Sequence, residues 1–504
     1  MRIAVIGGGI SGIAAARVLL RFGHDVVVFE RGDTPGGVWT VAYPDVRLQN
    51  IAEHYRLSDF PWPFTPDLHP TREQILAYLR AVVAHFRVDL RTRHEVAAMH
   101  ELPDGWELEV RTPQSTARER FDYVVSAIGQ YTGDQQVLAL PGRERFAGRV
   151  LTDRDVRDLA QLAGARVVVV GFGKSAVDMA TFAAERGARV DHVFRAPRWL
   201  IPRVLFGVHA SNIVFTRAST FMLPAWVHPS APERFLHERM APLVDGFWAM
   251  IGGLMRLQTG LHGWHRDPAV RRRMAVLRPT NTFPFEMRSA SALAPDRYFP
   301  LVIDGRIEPY RGEPAGFTET GLRLADGREL ACDLVVLSTG FQSPRFPFLP
   351  PHHRRWLEGE PDGVQLYRHL LHPRIPRLAF AGYNHGFLHV PSVEIATLWL
   401  CALLRGDLEL PPTAELERRI EEIRAWKRAH SLFEPSRSCN TSTRFHQYLD
   451  VLLGDLGLSP YRKSNPLAEV VAPYTAADYT GLIDEYEQAR TAMRLPRRPL
   501  PLST

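Results

Sequence analysis

Lysine is nearly missing from this 504-residue chain: of its 61 basic residues only Lys174, Lys427 and Lys463 are lysines, and the rest are arginines. The basic excess is modest, a net +6, and scattered. No basic stripe interleaved with aromatics exists, so nucleic acid is not an expected partner. Cysteine is also scarce. Cys332, Cys401 and Cys439 are the only three, and no two stand at C-x-x-C spacing. That argues against a disulfide framework, a zinc site and a dithiol redox centre, and suits a reducing, cytoplasmic compartment. No metal is expected. Long apolar runs are lacking too. The nearest, GFWAMIGGLM (246–255), is bounded by Asp245 and Arg256 and falls short of a membrane span. It reads as a buried or pocket-lining helix, with contact to a membrane surface as the lesser alternative. The N-terminus enters a strand directly, and no signal peptide is expected.

Glycine is placed where it matters. RIAVI (2–6) is a short apolar strand. Gly7, Gly9 and Gly12 then spell G-x-G-x-x-G, a helical pattern follows, and DVVVFE is a second strand ending in Glu30. Strand, glycine turn, helix, strand and acid, in that order, are the dinucleotide-binding plan. The plan recurs at ARVVVVGFGKSAVDMATFAAERGARVDHVFR, where Gly171, Gly173 and Ala176 stand at the same spacing. Here the second strand runs into Arg195. A carboxylate in that slot accepts hydrogen bonds from ribose hydroxyls and repels a 2′-phosphate, whereas a guanidinium attracts one. The first turn therefore suits FAD or NAD, and the second suits NADPH. Lys174 and Ser175 open the second helix; Lys174 either adds phosphate charge or faces solvent.

Other segments fill in around these turns. Gly36 and Gly37 in TPGGVWT allow close approach to a ligand, and Trp39 either packs on a flat ring system or fills its own loop. FDYVVSAIGQYTG brings a buried strand to a turn at Gly129, and LVVLSTGF does the same at Gly340. The run 71–86 reads as an amphipathic helix capped by Thr71. GLRLADGRELACD reads as a hairpin turned at Asp326-Gly327. Residues 196–310, rich in Phe, Met, Trp and Arg, read as an irregular cover over the active site. A helix starting near Pro391, with Glu394 in its first turn, is aimed at the flavin or is an ordinary core helix; His385 and His389 precede it. The expected class is α/β, with two Rossmann-like dinucleotide-binding domains, the NADPH domain inserted into the FAD domain. The expected boundaries are 1–155, 156–315, and 316–504 with its helical tail.

These elements together resemble the flavin-containing monooxygenases, the bacterial branch of the class B flavoprotein monooxygenases. The likeness is carried by GGGISG, Glu30, GGVW (36–39), LQN…YRLSDFPWP (48–63), GFGKSA (171–176), Arg195, LSTGF (337–341) and SVEIATLW. The family fingerprint F-x-G-x-x-x-H-x-x-x-(F/Y) is half kept in FAGRVLTDRDV: Phe146 and Gly148 match, but Thr152 replaces the histidine and Val156 the aromatic. The resemblance implies FAD at the first turn (Gly7, Gly9, Gly12, Glu30, Gly37, Trp39, Gly129, Gly340) and NADPH at the second (Gly171, Gly173, Lys174, Ser175, Ala176, Arg195). It also implies a flavin hydroperoxide that oxygenates an amine nitrogen or sulfide sulfur of a small organic substrate. Gln49 and Asn50 are the candidates for the family's active-site asparagine. A Baeyer–Villiger monooxygenase and a flavin reductase serving a protein partner are the alternatives. The substrate stays open, as does the choice between monomer and homodimer.

Overall fold

The computed structural model describes residues 1–130, 135–223, 229–287, 292–432, 434–441, 443–493 and 498–499. The elements that set up the site are, in chain order, β1 (Arg2–Ile6), α1 (Ile10–Arg21), β2 (Asp25–Glu30), α2 (Arg72–Phe86), β3 (Asp89–Thr92), β4 (Tyr123–Ser126), β5 (Arg149–Thr152), β6 (Arg166–Val170), α3 (Lys174–Glu185), β7 (Arg189–Phe194), α4 (Ala241–Thr259), β8 (Ile307–Arg311), β9 (Leu334–Leu337), β10 (Leu378–Phe380) and α5 (His389–Arg405).

Two parallel five-stranded sheets share one design. The first runs β10-β4-β1-β2-β3 and the second β8-β7-β6-β9-β5. In each, the strand before the glycine turn is central and the strand after the first helix lies next to it. On its other side comes the strand that ends at the later glycine. The chain order therefore reverses beside the turn strand, which is where open α/β sheets bind ligands. Both faces of such a sheet are covered, so the strands are continuously apolar: Ile3, Val5, Val167, Val169 and Val335 are fully buried.

The second sheet takes β5 from before residue 156 and β9 from beyond 315, and both lie at the same edge, beyond β6. The helix α2 that joins β2 to β3 has its counterpart, between β7 and β8, in the long segment 195–306. That segment is more regular than expected: helices such as α4 and Pro268–Val276 make up much of its described residues.

Local signals explain several ends. Thr71 caps α2 in a capping box: its hydroxyl accepts the Gln74 N–H, and the Gln74 carbonyl accepts the Thr71 N–H. Helix α5 starts at His389, two residues ahead of Pro391, which puts Glu394 in its second turn. It is buried from His389 to Ala402 and packs against α1. No helix among the described residues is long and apolar enough to cross a membrane.

Candidate functional site: two matched glycine turns

The two turns are near-copies. Gly9 and Gly173 cap their helices at the same φ of −78° and ψ of 179°. The Gly7 N–H donates to the Phe29 carbonyl at 2.8 Å, and the Gly171 N–H donates to the Val193 carbonyl at 2.9 Å. Gly7 (φ +115°) and Gly171 (φ +125°) lie where side chains are strained. A Cβ would strike the Ala127 carbonyl oxygen at 2.5 Å in one and the Ser338 carbonyl oxygen at 2.2 Å in the other. At Gly12 a Cβ would fall 1.9 Å from the Gly7 carbonyl oxygen, which is why the helix can pack so close to its own turn. Ala176 holds that place in the second unit and is fully buried.

The turns differ at the ends of their second strands. The Glu30 carboxylate accepts the Gly8 N–H and the Gly32 N–H, each at 2.7 Å, and is thereby aimed across the first turn. In the second turn Phe172 stands in place of Gly8. Its ring stacks on His192 and meets Phe194 edge-on at 4.4 Å, so the space used by a carboxylate is filled with aromatic carbon. Arg195 is exposed just beyond, engaged by no hydrogen bond or ion pair among the described residues. His192 is fully buried, and burial lowers its pKa to about 4. The ring is therefore neutral at pH 7: Nε2–H donates to the Gly171 carbonyl (2.7 Å), and Nδ1 accepts the Tyr298 hydroxyl (2.8 Å). Tyr298, in the helical insertion, thus fixes the turn's backbone.

Around the first turn the chain leaves a narrow cradle. Gly37 (φ +54°) approaches Gly9 so closely that a Cβ on Gly37 would sit 3.1 Å from the Gly9 Cα. The Trp39 indole N–H donates to the Tyr55 hydroxyl at 3.0 Å, which sets the ring at the cradle's side. Across from it, His389 bonds the Ser11 hydroxyl at 3.0 Å, and burial drops its pKa to about 3. Its Nδ1 is left without a partner among the described residues, as is Oε1 of buried Gln130 beside Gly129. Gly129 (φ +83°) and Gly340 (φ +91°) end β4 and β9 in the left-handed region. Among the described residues nothing lies within 4 Å of a Cβ on Gly340.

The two candidate polar residues part ways. The Asn50 amide donates to the Phe387 carbonyl at 2.6 Å, in the loop that leads into His389 and α5. Gln49 is exposed, and its side-chain carbonyl accepts the Leu293 N–H at 3.0 Å, tying this loop to the insertion.

Several partners went unseen in the sequence. Lys174 neither points outward nor stays free: its ammonium pairs with the buried Asp178 at 2.5 Å, and Asp178 also accepts the Tyr43 hydroxyl at 2.8 Å. The i, i+4 spacing of Lys174 and Asp178 was a readable signal; Tyr43, from a distant loop, was not. Ser175 and Gln135 hydrogen-bond Asp153, whose carboxyl burial pushes upward. Glu394 accepts the Ser58 N–H and hydroxyl at 2.9 and 2.7 Å and faces Arg17 at 3.5 Å; Arg17 also pairs with Asp59. Glu394 therefore locks the 58–59 loop against α1 and α5. The altered fingerprint is structural in the same sense. The Thr152 N–H and hydroxyl both donate to Asp155, closing a turn, and Val156 is fully buried in the second core. One group of three ligand-type side chains, Glu101, His352 and His353, sits beside the small antiparallel sheet and belongs to neither turn.

Comparison with known proteins agrees with this geometry. Residues 4–205 match the pyridine nucleotide-disulphide oxidoreductase family model. All three cysteines here are free and buried, so the dithiol part of that description has no counterpart. A probable flavin-containing monooxygenase 1 of Arabidopsis thaliana is 29% identical over 95% of this chain and 96% of its own length. Human flavin-containing monooxygenase 5 is 25% identical over 84% of this chain and 76% of its own. Among solved structures, the S-allyl-L-cysteine S-oxygenase of Allium sativum covers 98% of this chain and 93% of its own, at 19% identity and a TM-score of 0.63. The NADP⁺-bound cyclohexanone monooxygenase of Rhodococcus sp. Phi1 covers 90% and 97%, at 20% and 0.67. With two matched nucleotide turns, a shared fold and sequence likeness along almost its whole length, the chain is similar to the flavin-containing monooxygenases.

Proposed function

We propose that the protein is an FAD-, NADPH- and O2-dependent monooxygenase that oxygenates an amine nitrogen or sulfide sulfur of a small organic substrate. One observation carries the pairing of cofactors: matched turns end in opposite charges, Glu30 held inward by two backbone N–H groups and Arg195 exposed and unpaired. The residues present fit both groups. The Gly9–Gly37 approach admits backbone and ligand where no side chain could stand, and the orphaned Gln130 Oε1 and His389 Nδ1 offer polar contacts at its rim. At the second turn, among the described residues, buried Ser338 keeps a hydroxyl without a partner and nothing stands against the Gly340 turn.

When bound, FAD would supply hydride acceptance from NADPH and activation of O2. The chain's own residues do the rest. Glu30 takes the adenosine ribose hydroxyls, the N-terminus of α1 faces the pyrophosphate, and Arg195 reads the 2′-phosphate. Gly171, Gly173, Ser175 and Ala176 bring the second backbone close to its ligand. Lys174, bound to Asp178, holds the α3 turn to the Tyr43 loop; it is a positioning residue in this reading. Asn50, anchored on Phe387, is the polar group at the flavin cradle, and Gln49 is a strap to the insertion. Trp39 and Tyr55 wall that side from water. Soft nucleophiles need no protein nucleophile or acid–base pair, and none is assembled at the turns. Three buried thiols with no disulfide among them support a reducing, cytoplasmic setting.

The test is direct. Anaerobic NADPH should bleach the bound flavin. Under air, a thioether or tertiary amine should raise NADPH consumption and gain one atom from 18O2. An ester formed from cyclohexanone, with no sulfoxide or N-oxide, would move the enzyme to Baeyer–Villiger chemistry. Fast reduction of an artificial acceptor with no oxygenated product would make it a reductase.

A further inference from the structure

The stretch that carries Gln49 and Asn50 folds back on residues 68–71: the Leu48 N–H donates to the Pro70 carbonyl and the Ala52 N–H to the Leu68 carbonyl, each at 2.9 Å. His69, on the returning side, is 7% exposed, and its Nδ1 lies 3.1 Å from both the Leu48 and the Asn50 carbonyl oxygens. Its Nε2 lies 3.2 Å from Nε2 of His209. His209 ends a short hairpin of the insertion, Val204–Leu205 with Val208–His209. The neighbouring ladder of Leu200–Ile201 with Ala292–Leu293 supplies the Leu293 N–H that Gln49 accepts. One block of the insertion therefore holds this loop at two points.

Every hydrogen of the histidine pair has one place. Carbonyl oxygens only accept, so Nδ1 of His69 carries a hydrogen. A neutral His69 then has a bare Nε2, and His209 must donate to it from its own Nε2. That leaves His209 Nδ1 bare. It accepts the Ser211 hydroxyl at 2.7 Å and the Ser211 N–H at 3.3 Å, capping the helix Ala210–Val214. Burial, and then the Arg203 guanidinium, lower both histidines below the ordinary 6.5, so both rings are neutral at pH 7. The other groups around the pair keep to the same state. His54, 1% exposed, is held at a pKa of about 3 by burial; Arg203 stands 3.7 Å from Asp296; and Arg47, which donates to the His69 carbonyl, is paired with Asp67.

We infer that His69 and His209 are positioning residues which, with Gln49, strap the Leu48–Asn50 stretch to the insertion and so fix Asn50 at the flavin cradle, a role that rests on the flavin-dependent function proposed for this site. The strap is also sensitive to acid. The Nε2···Nε2 contact holds one hydrogen, and the two carbonyls keep the hydrogen on His69 Nδ1. A first added proton therefore ends on His209 Nδ1, whichever ring bears the charge, and the Ser211 N–H loses its acceptor. A second sets N–H against N–H and opens the contact.

His209→Phe and His209→Gln, each as full-length, FAD-loaded protein, separate the cases. Phenylalanine keeps a ring and loses both nitrogens. A glutamine amide replaces the Nε2–H and can turn its oxygen toward His69 in acid. Hydrogen–deuterium exchange reads the strap without a substrate. At about pH 7.5, peptides covering 48–55 and 200–211 should exchange up to about tenfold faster in His209→Phe, the loss of one hydrogen bond, and within about twofold of wild type in His209→Gln. Between about pH 6.5 and 5.5, after correction for intrinsic rates, wild type should move toward the phenylalanine variant, whereas His209→Gln should not. This arm needs only wild type and the glutamine variant, so it holds even where His209→Phe folds poorly. NADPH should bleach the flavin of all three proteins, because the second turn is untouched. With a thioether under air, His209→Phe should release about tenfold more peroxide per NADPH than wild type, the scale of a misplacement near 1 Å, and His209→Gln should restore the coupling. Unchanged exchange over 48–55 in His209→Phe, or an equal rise in both variants, would overturn the strap. Faster exchange with unchanged peroxide release would overturn the positioning of Asn50. A wild type that NADPH does not bleach would overturn the proposed function instead, and exchange would still decide the strap.

Discussion

Replacing Arg195 with alanine separates the two nucleotides that the second turn could take. The guanidinium is exposed and committed to no partner among the described residues, so its removal breaks nothing in the fold. What is lost is a charge-assisted contact with a 2′-phosphate, about 1.5–3 kcal/mol. Exposure to solvent favours the lower half of that range. At 1.4 kcal/mol per tenfold, KM for NADPH should rise about 10- to 50-fold, while KM for NADH should move by no more than about twofold. Raising the salt should weaken NADPH in the wild type and much less in the variant. Lys174→Met is the matched control. It strips the counter-ion from the buried Asp178 carboxylate, so it should lower stability by about 3 kcal/mol or more yet leave the NADPH-to-NADH ratio in place. The assay is initial-rate NAD(P)H oxidation under air for all three proteins. Equal losses for both nucleotides in Arg195→Ala, or none for either, would refute the assignment of Arg195 to the phosphate.

Other outcomes follow from the same geometry. Glu394→Ala leaves buried Arg17 facing a hole and two Ser58 donors unmet, and should cost about 3–5 kcal/mol by denaturant unfolding, with Glu394→Gln costing less than half of that; a loss under about 1 kcal/mol in the alanine variant would mean that the lock is not formed. Burial holds His54 and His389 at a pKa of about 3 and His192 at about 4, all below the ordinary 6.5. The unfolded chain therefore takes up protons that the folded one refuses between pH 6.5 and those values, and stability falls as the pH drops through this window. Each should remove about 1.4 kcal/mol by pH 5.5, so a flat stability profile from pH 7 to 5.5 would contradict their burial as neutral rings. Gly171→Ala drives a Cβ into the Ser338 carbonyl at a φ of +125°, and should abolish NADPH-dependent bleaching of the flavin while flavin content stays near normal; normal NADPH reduction would show that the turn has more room than this.

The sequence by itself determined the two turns, their strands and helices and the opposite charges at their ends. These rest on local rules. A valine run buried on both faces makes a strand, a glycine at positive φ makes the turn, and the charge at the strand's end follows in sequence at fixed spacing. For the same reason Thr71 was legible as a cap. Only the tertiary structure decided what depends on residues far apart in the chain. Lys174 turns to Asp178, and Tyr43, from another part of the chain, completes the group. Glu394 binds Ser58 across 336 residues of sequence, and Gln49 and Asn50, adjacent in sequence, bind segments 244 and 337 residues away. Burial charges a buried polar group for every hydrogen bond it leaves unmade. Its partner is therefore whichever donor or acceptor the fold brings within reach, and neither composition nor periodicity records that distance. The apolar run 246–255 shows the same division. Its composition was plain from the sequence, but which half of it faced solvent was fixed only when Trp199 packed against Gly252 and none of the described residues packed against Gly253.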